Sequence, residues 1–376
     1  MQYRKMGKLD IDVSALGFGA MRFPTLGSDE KIDEEKAAEM LDYAIENGVN
    51  YLDTAWPYHG GASEPFLGRY LQGGKRQKVY LASKLPTWEL EKEEDCDRFL
   101  DAQLEKLQTD KIDFYLIHAI QSMRWPLVKK LKVMEWGERA KQDGRIGYFG
   151  FSYHDTFELF KEVVDAHDWD FCQIQYNYMN EHVQAGTAGL QYAAEKGLGV
   201  VIMEPIYGGT LAEFPEKINR IWEKTERSPV DAALQWLWDK PEVSVVLSGM
   251  STLGQVKENV QSAENSGAGT LSEKDRAVID KVRDEYDKLA AIPCTKCGYC
   301  MPCPNGVDIP YNFELYNNAI KFEGNASDQS SALYNNDLPE EMRANNCISC
   351  GICEEKCPQH IKISNWMPKV DQLLSK

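Results

Sequence analysis

The run Asp113-Phe-Tyr-Leu-Ile-His118 is short, apolar and rich in residues that favour β-strands, and seven similar runs accompany it in the first two-thirds of the chain. They recur at fairly even intervals. The eight predicted strands cover residues 14–20, 49–53, 79–83, 114–118, 148–152, 171–176, 200–203 and 243–248. Amphipathic stretches that predict helices separate them, for example residues 34–47, 92–107, 126–142, 184–195 and 229–238.

Alternating strands and helices predict parallel strands joined by right-handed crossovers. Eight such units in a region of this length fit a (β/α)8 TIM barrel better than an open sheet. Gly48, Gly144 and Gly197 follow helical stretches, as glycines that cap helix C-termini do. Residues 3–13 predict a small hairpin around Gly7 that closes the bottom of the barrel.

Four polar side chains follow the predicted strands at the end where barrel enzymes carry their chemistry. Asp53 ends the second strand, and Tyr58 lies a few residues into the next loop. Lys84 ends the third strand and His118 ends the fourth. Taken singly, each could cap a helix, pack in a loop or face solvent. A carboxylate, a phenol, an amine and an imidazole at three neighbouring strand ends predict a catalytic site.

This constellation resembles the aldo-keto reductase superfamily. The matching segments are Tyr51-Leu-Asp-Thr-Ala-Trp-Pro-Tyr58, Gly60-Gly-Ala-Ser-Glu64, Leu81-Ala-Ser-Lys84 and Asp113-Phe-Tyr-Leu-Ile-His118. The resemblance implies hydride transfer between a nicotinamide cofactor, NADP or NAD, and a small-molecule carbonyl or alcohol. It makes Tyr58 the general acid. We expect Lys84 to lower the pKa of that phenol, Asp53 to hold Lys84, and His118 to orient the carbonyl oxygen.

The resemblance also implies a cofactor site. Ser152 and Gln173 match residues that hold the nicotinamide amide, although Tyr153 stands where the family usually has Asn. The remaining implied contacts are Met203, Pro205, Gly208 and Gly209 near the pyrophosphate, and Gly249, Ser251, Gln255, Glu258 and Asn259 near the adenosine. Gly249 and Gln255 replace the Lys and Arg with which some members grip the extra phosphate of NADP, which leaves NAD open. No G-x-G-x-x-G element supports a Rossmann domain.

Eight of the ten cysteines form two runs near the C-terminus, and each run ends in Cys-Pro. The runs are Cys294, Cys297, Cys300 and Cys303, and Cys347, Cys350, Cys353 and Cys357. This spacing predicts two [4Fe–4S] clusters, with the fourth cysteine of each run reaching the other cluster, and it resembles bacterial two-cluster ferredoxins. Structural zinc is the alternative. Cys303 departs from the usual spacing by one residue. Cys96 and Cys172, outside the runs, are expected to be buried.

These patterns predict three regions: an aldo-keto reductase barrel over residues 1–267, a linker helix within 268–293, and a small α-helical, ferredoxin-like iron–sulfur domain over 294–376. Residues 305–346, between the cysteine runs, are expected to hold short helices. The net charge of −17 argues against nucleic acid as a partner. No apolar run has the length of a membrane span, and Met1–Lys8 is polar and charged, unlike a signal peptide, so we expect the protein in the cytoplasm.

A nicotinamide gives up two electrons as hydride, whereas a [4Fe–4S] cluster takes one at a time. A flavin could bridge the two, but the sequence carries no flavin motif. Three interpretations stay open: a reductase whose clusters exchange electrons with a flavin or a redox partner such as a ferredoxin, a plain reductase with structural or oxygen-sensing clusters, and an electron-transfer protein with the barrel as a scaffold. The intact tetrad of Asp53, Tyr58, Lys84 and His118 argues against the third.

Overall fold

The computed structural model describes residues 1–212, 214–294, 297–321 and 325–375. These residues form two compact units. The first comprises Met1–Tyr207 and Arg227–Arg276, and the second comprises Gly208–Glu226 and Ala277–Lys376. The second unit therefore combines a short segment from the middle of the sequence with the C-terminal region. Among the described residues, no helix combines the length and the hydropathy that crossing a membrane requires.

The first unit is built on a closed barrel of eight parallel strands, which confirms the predicted fold. Its strands are β3 Leu16–Gly19, β4 Tyr51–Asp53, β5 Tyr80–Leu85, β6 Ile112–Ile120, β7 Ile146–Tyr153, β8 Phe171–Gln175, β9 Gly199–Met203 and β10 Val243–Ser248. They follow one another around the barrel in chain order, and β10 pairs with β3 to close it.

The predicted hairpin lies at the N-terminal ends of the strands. It consists of β1 Tyr3–Met6 and β2 Leu9–Ser14, which pair antiparallel. Lys8 N–H donates to the carbonyl of Gly197, just before β9 begins, and Met6 packs with the barrel interior. The hairpin therefore closes the end of the barrel opposite to the strand ends that carry the tetrad.

Helices of the first unit cover the outside of the barrel. They are α1 Glu34–Glu46, α2 Ser63–Tyr70, α3 Glu94–Leu107, α4 Trp125–Lys130, α5 Val133–Gln142, α6 Phe157–Asp165, α7 Gly186–Glu195, α9 Pro229–Trp238 and α10 Leu253–Glu264. Helix α8, Glu216–Trp222, precedes α9 in the chain and belongs to the second unit. The single helix predicted over residues 126–142 is wrong: Lys132 takes a left-handed conformation with φ of 51° and separates α4 from α5. Gly48, Gly144 and Gly197 have positive φ, as expected of C-terminal caps.

Alternation along the strands decides which side chains enter the barrel. Phe114 of β6 lies at its centre, with ring centroids 5.0 Å from Phe171 and Tyr148 and 5.2 Å from Tyr51. Stepping two residues along the strands from these core positions leads to Asp53 and Gln173 at the C-terminal ends. The same alternation that packs the interior thus aims polar side chains into the mouth of the barrel.

The second unit is mainly helical, as predicted. It contains α8 Glu216–Trp222, most of α11 Glu273–Asp287, α12 Ile309–Lys321, α13 Asn325–Ala332, α14 Ile352–Glu355 and α15 Ile363–Leu374. The predicted linker helix is α11, where Ser272 Oγ accepts from the N–H of Asp275. A separate hydrophobic core, which includes Phe313, Met367 and Val370, packs beneath the cysteine runs.

Candidate active site

The structure brings the four predicted catalytic residues together at the C-terminal ends of β4, β5 and β6. Lys84 Nζ lies 2.7 Å from Asp53 Oδ1, 2.8 Å from the carbonyl oxygen of Thr54 and 3.4 Å from the Tyr58 hydroxyl. The rings of Tyr58 and His118 are 6.5 Å apart and nearly perpendicular. Only 1% of Lys84 and 2% of Asp53 is exposed. A buried ion pair therefore underlies a phenol and an imidazole that face the barrel mouth.

Tyr58 stands on a short 3-10 turn, Tyr58–Gly61, whose conformation is fixed from outside the tetrad. His59 has a positive φ of 53° and is buried. Its Nε2 accepts from the N–H of Phe23, so Nδ1 carries the proton that is donated to the carbonyl of Asp29. Ser63 Oγ, at the start of α2, donates to the carbonyl of Ala20. The turn that presents the phenol is thereby held by the loop after β3.

The pKa directions correct one expectation. Burial raises the pKa of Tyr58 above its ordinary value, and the Lys84 ammonium opposes this rise without overcoming it. Lys84 itself has a raised pKa: burial alone would lower it, but the Asp53 carboxylate more than compensates. Lys84 therefore remains an ammonium, and Tyr58 keeps its proton at neutral pH. Lys84 acts in the predicted direction, but the expected net decrease in the pKa of Tyr58 is wrong, because burial outweighs the ammonium.

A buried polar network supports the strand that carries Lys84. Ser83 Oγ donates to Glu64 Oε1 at 2.7 Å, and Gln103 Nε2 donates to the same carboxylate and to the carbonyl oxygen of Lys84 at 3.2 Å. Tyr115 in turn donates to Gln103 Oε1 at 2.6 Å. Burial raises the pKa of Glu64, while its hydrogen bonds from Ser83 and Gln103 oppose this. The network links α2 and α3 to the main chain at Lys84.

His118 is held as a neutral imidazole. Burial lowers its pKa well below the ordinary value, and the positive charge of Lys84 adds to this. Its Nδ1 is buried without a hydrogen-bond partner among the described residues. Trp88, which is 40% exposed, lies with its ring 5.0 Å from the imidazole, and the Arg124 guanidinium lies 5.4 Å from the indole. The imidazole therefore faces a partly open mouth with an aromatic and a cationic side chain beside it.

Ser152 and Gln173 lie next to each other, because β7 and β8 pair at these positions. Ser152 Oγ accepts from the N–H of Ala119. Gln173 Nε2 contacts the sulfur of Met203 at 3.6 Å, and its Oε1 is buried without a partner among the described residues. A buried amide oxygen of this kind fits the carboxamide N–H of a nicotinamide. Tyr153 turns outward and donates to the carbonyl of Thr156, so it offers no such contact.

The other expected cofactor residues lie at the end of β9, where Met203 is the last residue, and in the segments after β9 and β10. Pro205 is buried and Met203 is half-buried. Gly208 and Gly209 open the Gly208–Glu226 segment of the second unit, and their φ values of 66° and 104° are ones that glycine adopts without strain. The positions after β10 that the sequence predicted to bind adenosine are Gly249, Ser251, Gln255, Glu258 and Asn259.

Several of those positions already have structural roles. Gln255 Oε1 accepts from the N–H groups of Ser251 and Thr252 in the capping box of α10. Asn259 is buried and donates to Ser248 Oγ. Glu258 is exposed.

In the second unit, two cavities divide the eight cysteines in a crossed manner. Cys347, Cys350 and Cys353 line one of them together with Cys303 of the other run. Cys294, Cys297 and Cys300 line the other together with Cys357. Among the described residues no three potential ligands lie close enough to bind a single metal ion. Four thiols line each cavity, which is the number of protein ligands that a [4Fe–4S] cluster takes, and Cys303 is one of them despite its unusual spacing.

Comparison with known proteins agrees with both parts. Residues 15–284 match the model of the aldo/keto reductase family, and residues 293–361 match the 4Fe-4S dicluster domain. The chain belongs to the aldo-keto reductase family. The holo form of the aldo-keto reductase AKR11C1 from Bacillus halodurans superposes with a TM-score of 0.63 at 29% identity, over 75% of this chain and 96% of that one.

Two relatives cover similar shares of this aldo-keto reductase. L-galactose dehydrogenase of Arabidopsis thaliana is 27% identical over 76% of this chain and 96% of its own length. The uncharacterized oxidoreductase YrpG of Bacillus subtilis is 26% identical over 71% of this chain and 92% of its own length.

The reductase barrel also carries polar residues at its mouth that sequence reasoning missed. Gln175 is buried, and its Nε2 has no partner within the described part of the chain; a step of two from Gln173 along β8 would have indicated it. Glu204 directly follows β9 with a φ of 54°, and burial raises its pKa. His154 directly follows β7, and burial lowers its pKa to about 4. Among the tryptophans near the mouth, Trp88 reaches the tetrad, whereas Trp56 packs on Phe99 and Trp125 is buried.

Proposed function

We propose that this aldo-keto reductase interconverts a small carbonyl compound and its alcohol with NADP or NAD, and that Tyr58 is the general acid. The observation that carries the proposal is the 3.4 Å approach of a buried ammonium, Lys84 Nζ, to the Tyr58 hydroxyl, with Asp53 as counter-ion. The family membership supplies the reaction type, and the barrel mouth supplies a place for the reacting atoms.

When bound, a reduced nicotinamide supplies the hydride that the carbonyl carbon accepts. Tyr58 Oη holds the proton that the carbonyl oxygen needs, so hydride and proton together convert C=O into the alcohol. Because burial keeps the phenol protonated, it is a competent donor at neutral pH. Lys84 then stabilises the phenolate that the transfer leaves, which is worth most in the transition state. Asp53 keeps Lys84 charged and in place.

His118 and Gln173 complete the proposed site. A neutral His118 can donate one N–H to the carbonyl oxygen without competing with Tyr58 for the role of acid. The unpartnered Oε1 of Gln173 and the hydroxyl of Ser152 would hold the carboxamide and fix which face of the ring is presented. The proposal covers both NAD and NADP as the nicotinamide cofactor.

We propose that the eight cysteines of the second unit hold two [4Fe–4S] clusters, each bound by three thiolates of one run and one of the other. The crossed lining of the two cavities supports this ligand set. When bound, such a cluster supplies single-electron transfer. A flavin or a redox partner such as a ferredoxin would be needed to connect it with hydride chemistry. The proposed regions are 1–267 for the barrel, 268–293 for the linker helix and 294–376 for the cluster domain.

Replacing Tyr58 tests the reductase proposal. Tyr58→Phe removes the hydroxyl that carries the proton and keeps the ring. It should abolish nicotinamide-dependent reduction of a panel of aldehydes, while NADH and NADPH still bind, as measured by quenching of protein fluorescence. Tyr192→Phe is the matched control, since Tyr192 bonds Asp165 on the exposed outside of the barrel and should leave turnover unchanged. A Tyr58→Phe protein that keeps most of its turnover would overturn the assignment.

A second candidate function is electron transfer through the clusters, with the barrel as a scaffold or a flavin-assisted site. The two cavities lined by cysteines favour it as a separate activity. Electron paramagnetic resonance on the anaerobic protein, before and after addition of NADH or NADPH, separates the alternatives. A reduced-cluster signal that appears with the nucleotide would connect the clusters to the nicotinamide. Clusters that respond to dithionite alone would favour a plain reductase.

A further inference from the structure

Arg22 is a cationic side chain at the barrel mouth to which sequence reasoning gave no role. It lies in the segment between β3 and α1 and is exposed. Its carbonyl oxygen accepts from Ser251 Oγ at 2.8 Å, and the N–H of the next residue, Phe23, donates to His59 Nε2 at 3.1 Å. The main chain at Arg22 is therefore tied on one side to the loop after β10 and on the other to the neighbour of Tyr58.

The loop after β10 makes room for this arginine. A Cβ at Gly249 would lie 3.2 Å from Arg22 Cγ and 3.4 Å from Arg22 Cβ, so a side chain at position 249 would crowd the arginine in its present position. The lack of a side chain at Gly249 lets Arg22 lie against the loop. Gly249 is also a position where the family resemblance led us to look for a phosphate-binding cation.

Arg22 meets no charged side chain in the loop residues 249–252 that it lies against. Residues 249–252 are Gly, Met, Ser and Thr, and the amide oxygen of Gln255 is engaged by the capping box. In the described part of the chain the Arg22 guanidinium has no ion pair or hydrogen bond, and Glu204 is the carboxyl on which its charge acts. An exposed guanidinium in such a position offers two parallel N–H donors, the arrangement that a phosphate accepts best.

We infer that Arg22 binds a phosphate group of the dinucleotide, which rests on the proposed nicotinamide-dependent function. The cofactor must extend from the tetrad, where its nicotinamide reacts, toward the loop after β10. Arg22 lies between these two places, because its own main chain is bonded to Ser251 and that of the next residue to His59. The phosphate concerned is either the diphosphate, which both nucleotides share, or the 2′-phosphate, which NADPH alone carries.

Equilibrium binding of NADH and of NADPH to the full-length anaerobic protein tests this. Arg22→Ala should raise Kd about ten-fold or more, the size of a lost charge-assisted contact, and Arg22→Lys should restore part of it. If Arg22→Ala binds both nucleotides more weakly, Arg22 contacts the diphosphate. If only NADPH binds more weakly, Arg22 contacts the 2′-phosphate. Arg139→Ala, which removes an exposed arginine of α5 that pairs with Glu93, is the control and should leave both Kd values unchanged.

Two results would overturn the inference, and they differ. A wild-type protein that binds nucleotide, with an Arg22→Ala variant that binds both nucleotides within two-fold of it, rejects the role of Arg22 and leaves the reductase proposal standing. A wild-type protein that binds neither nucleotide rejects both. Far-UV circular dichroism of the variants checks that the exposed substitution has not altered the fold.

Discussion

Lys84 Nζ and Asp53 Oδ1 lie 2.7 Å apart in an ion pair from which solvent is almost completely excluded. Removing one charge of such a pair leaves the other buried without compensation, which typically costs ~3–5 kcal/mol. Asp53→Asn should therefore lower the free energy of unfolding of the barrel by about that amount and also lower turnover, since Lys84 loses the partner that keeps it charged. Urea unfolding, with Asp10→Asn at an exposed ion pair as control, measures the difference.

The same ion pair predicts a pH effect on Lys84. Its folded pKa is raised, so the stabilising contribution is present in full below the unfolded value and is lost as pH rises through the folded value. Alkaline destabilisation should therefore be weaker in Asp53→Asn than in the wild type. Equal alkaline losses of stability in the two proteins would contradict the coupling.

The network of Glu64, Ser83 and Gln103 predicts an effect on catalysis by a residue that touches no reacting atom. Gln103→Leu removes the donor that spans Glu64 and the carbonyl of Lys84, and it leaves the Tyr115 hydroxyl without its acceptor, at a cost of about 1–3 kcal/mol for each buried group left unsatisfied. We expect lower stability and a decrease in kcat with little change in KM. The variant Gln103→Glu should not preserve stability or kcat either, since its carboxylate would face the carboxylate of Glu64. Gln77→Leu, at an exposed position, should change neither parameter.

Two partly buried imidazoles, His118 and His154, predict a loss of stability in acid. The pKa of His118 lies well below its ordinary value, and that of His154 is lowered to about 4. Between pH 6.5 and these lowered values the unfolded chain binds protons that the folded chain does not, so the free energy of unfolding falls as pH falls. Each group contributes up to ~1.4 kcal/mol per pH unit.

Replacing one imidazole should reduce this acid sensitivity. The urea midpoint of His154→Gln should fall less between pH 7 and pH 5 than that of the wild type, while His182→Gln, at an exposed position, should follow the wild type. Parallel curves for all three proteins would show that burial of His154 does not govern the acid response.

The crossed cavities predict which cysteines share a cluster. If Cys303 serves the group held by Cys350, then Cys303→Ser combined with Cys350→Ser removes ligands from one cluster, and about four irons should remain. Cys303→Ser combined with Cys297→Ser removes ligands from both and should leave far less iron. Each double variant is the control of the other, with iron content and visible absorbance as readouts. The reverse ranking would mean that each run binds its own cluster.

Strand positions and the tetrad were predictable from sequence because both depend on local patterns. Runs of apolar residues gave the strands, and their C-terminal ends gave Asp53, Lys84 and His118. The break between α4 and α5 was not predictable, because Lys132 adopts a left-handed conformation without a glycine or proline to signal it. The direction of the Tyr58 pKa was also missed, since a sequence shows a neighbouring lysine but not how much water the fold removes.

Contacts between segments that are far apart in the sequence could not be predicted either. Arg22 and Ser251 are separated by most of the barrel in sequence, and only closure by pairing of β3 with β10 brings their loops together. Crossed ligation by Cys303 and Cys357 stays a prediction from the ferredoxin-like spacing, and the lining of the two cavities is compatible with it. Glu204 and His154 belong to no sequence motif, and the pKa shifts that single them out arise from burial at the barrel mouth.

The segment Gly208–Glu226 affects which fragments of the protein can be expressed separately. Phe214 of this segment packs against Tyr286 at 5.4 Å, and Lys217 pairs with Glu285 at 2.6 Å. A recombinant fragment that ends at residue 267 would lack Tyr286 and Glu285, and the face of Phe214 that packs on Tyr286 would be exposed to water. Expression of the isolated barrel is therefore expected to yield aggregates unless the fragment extends through α11.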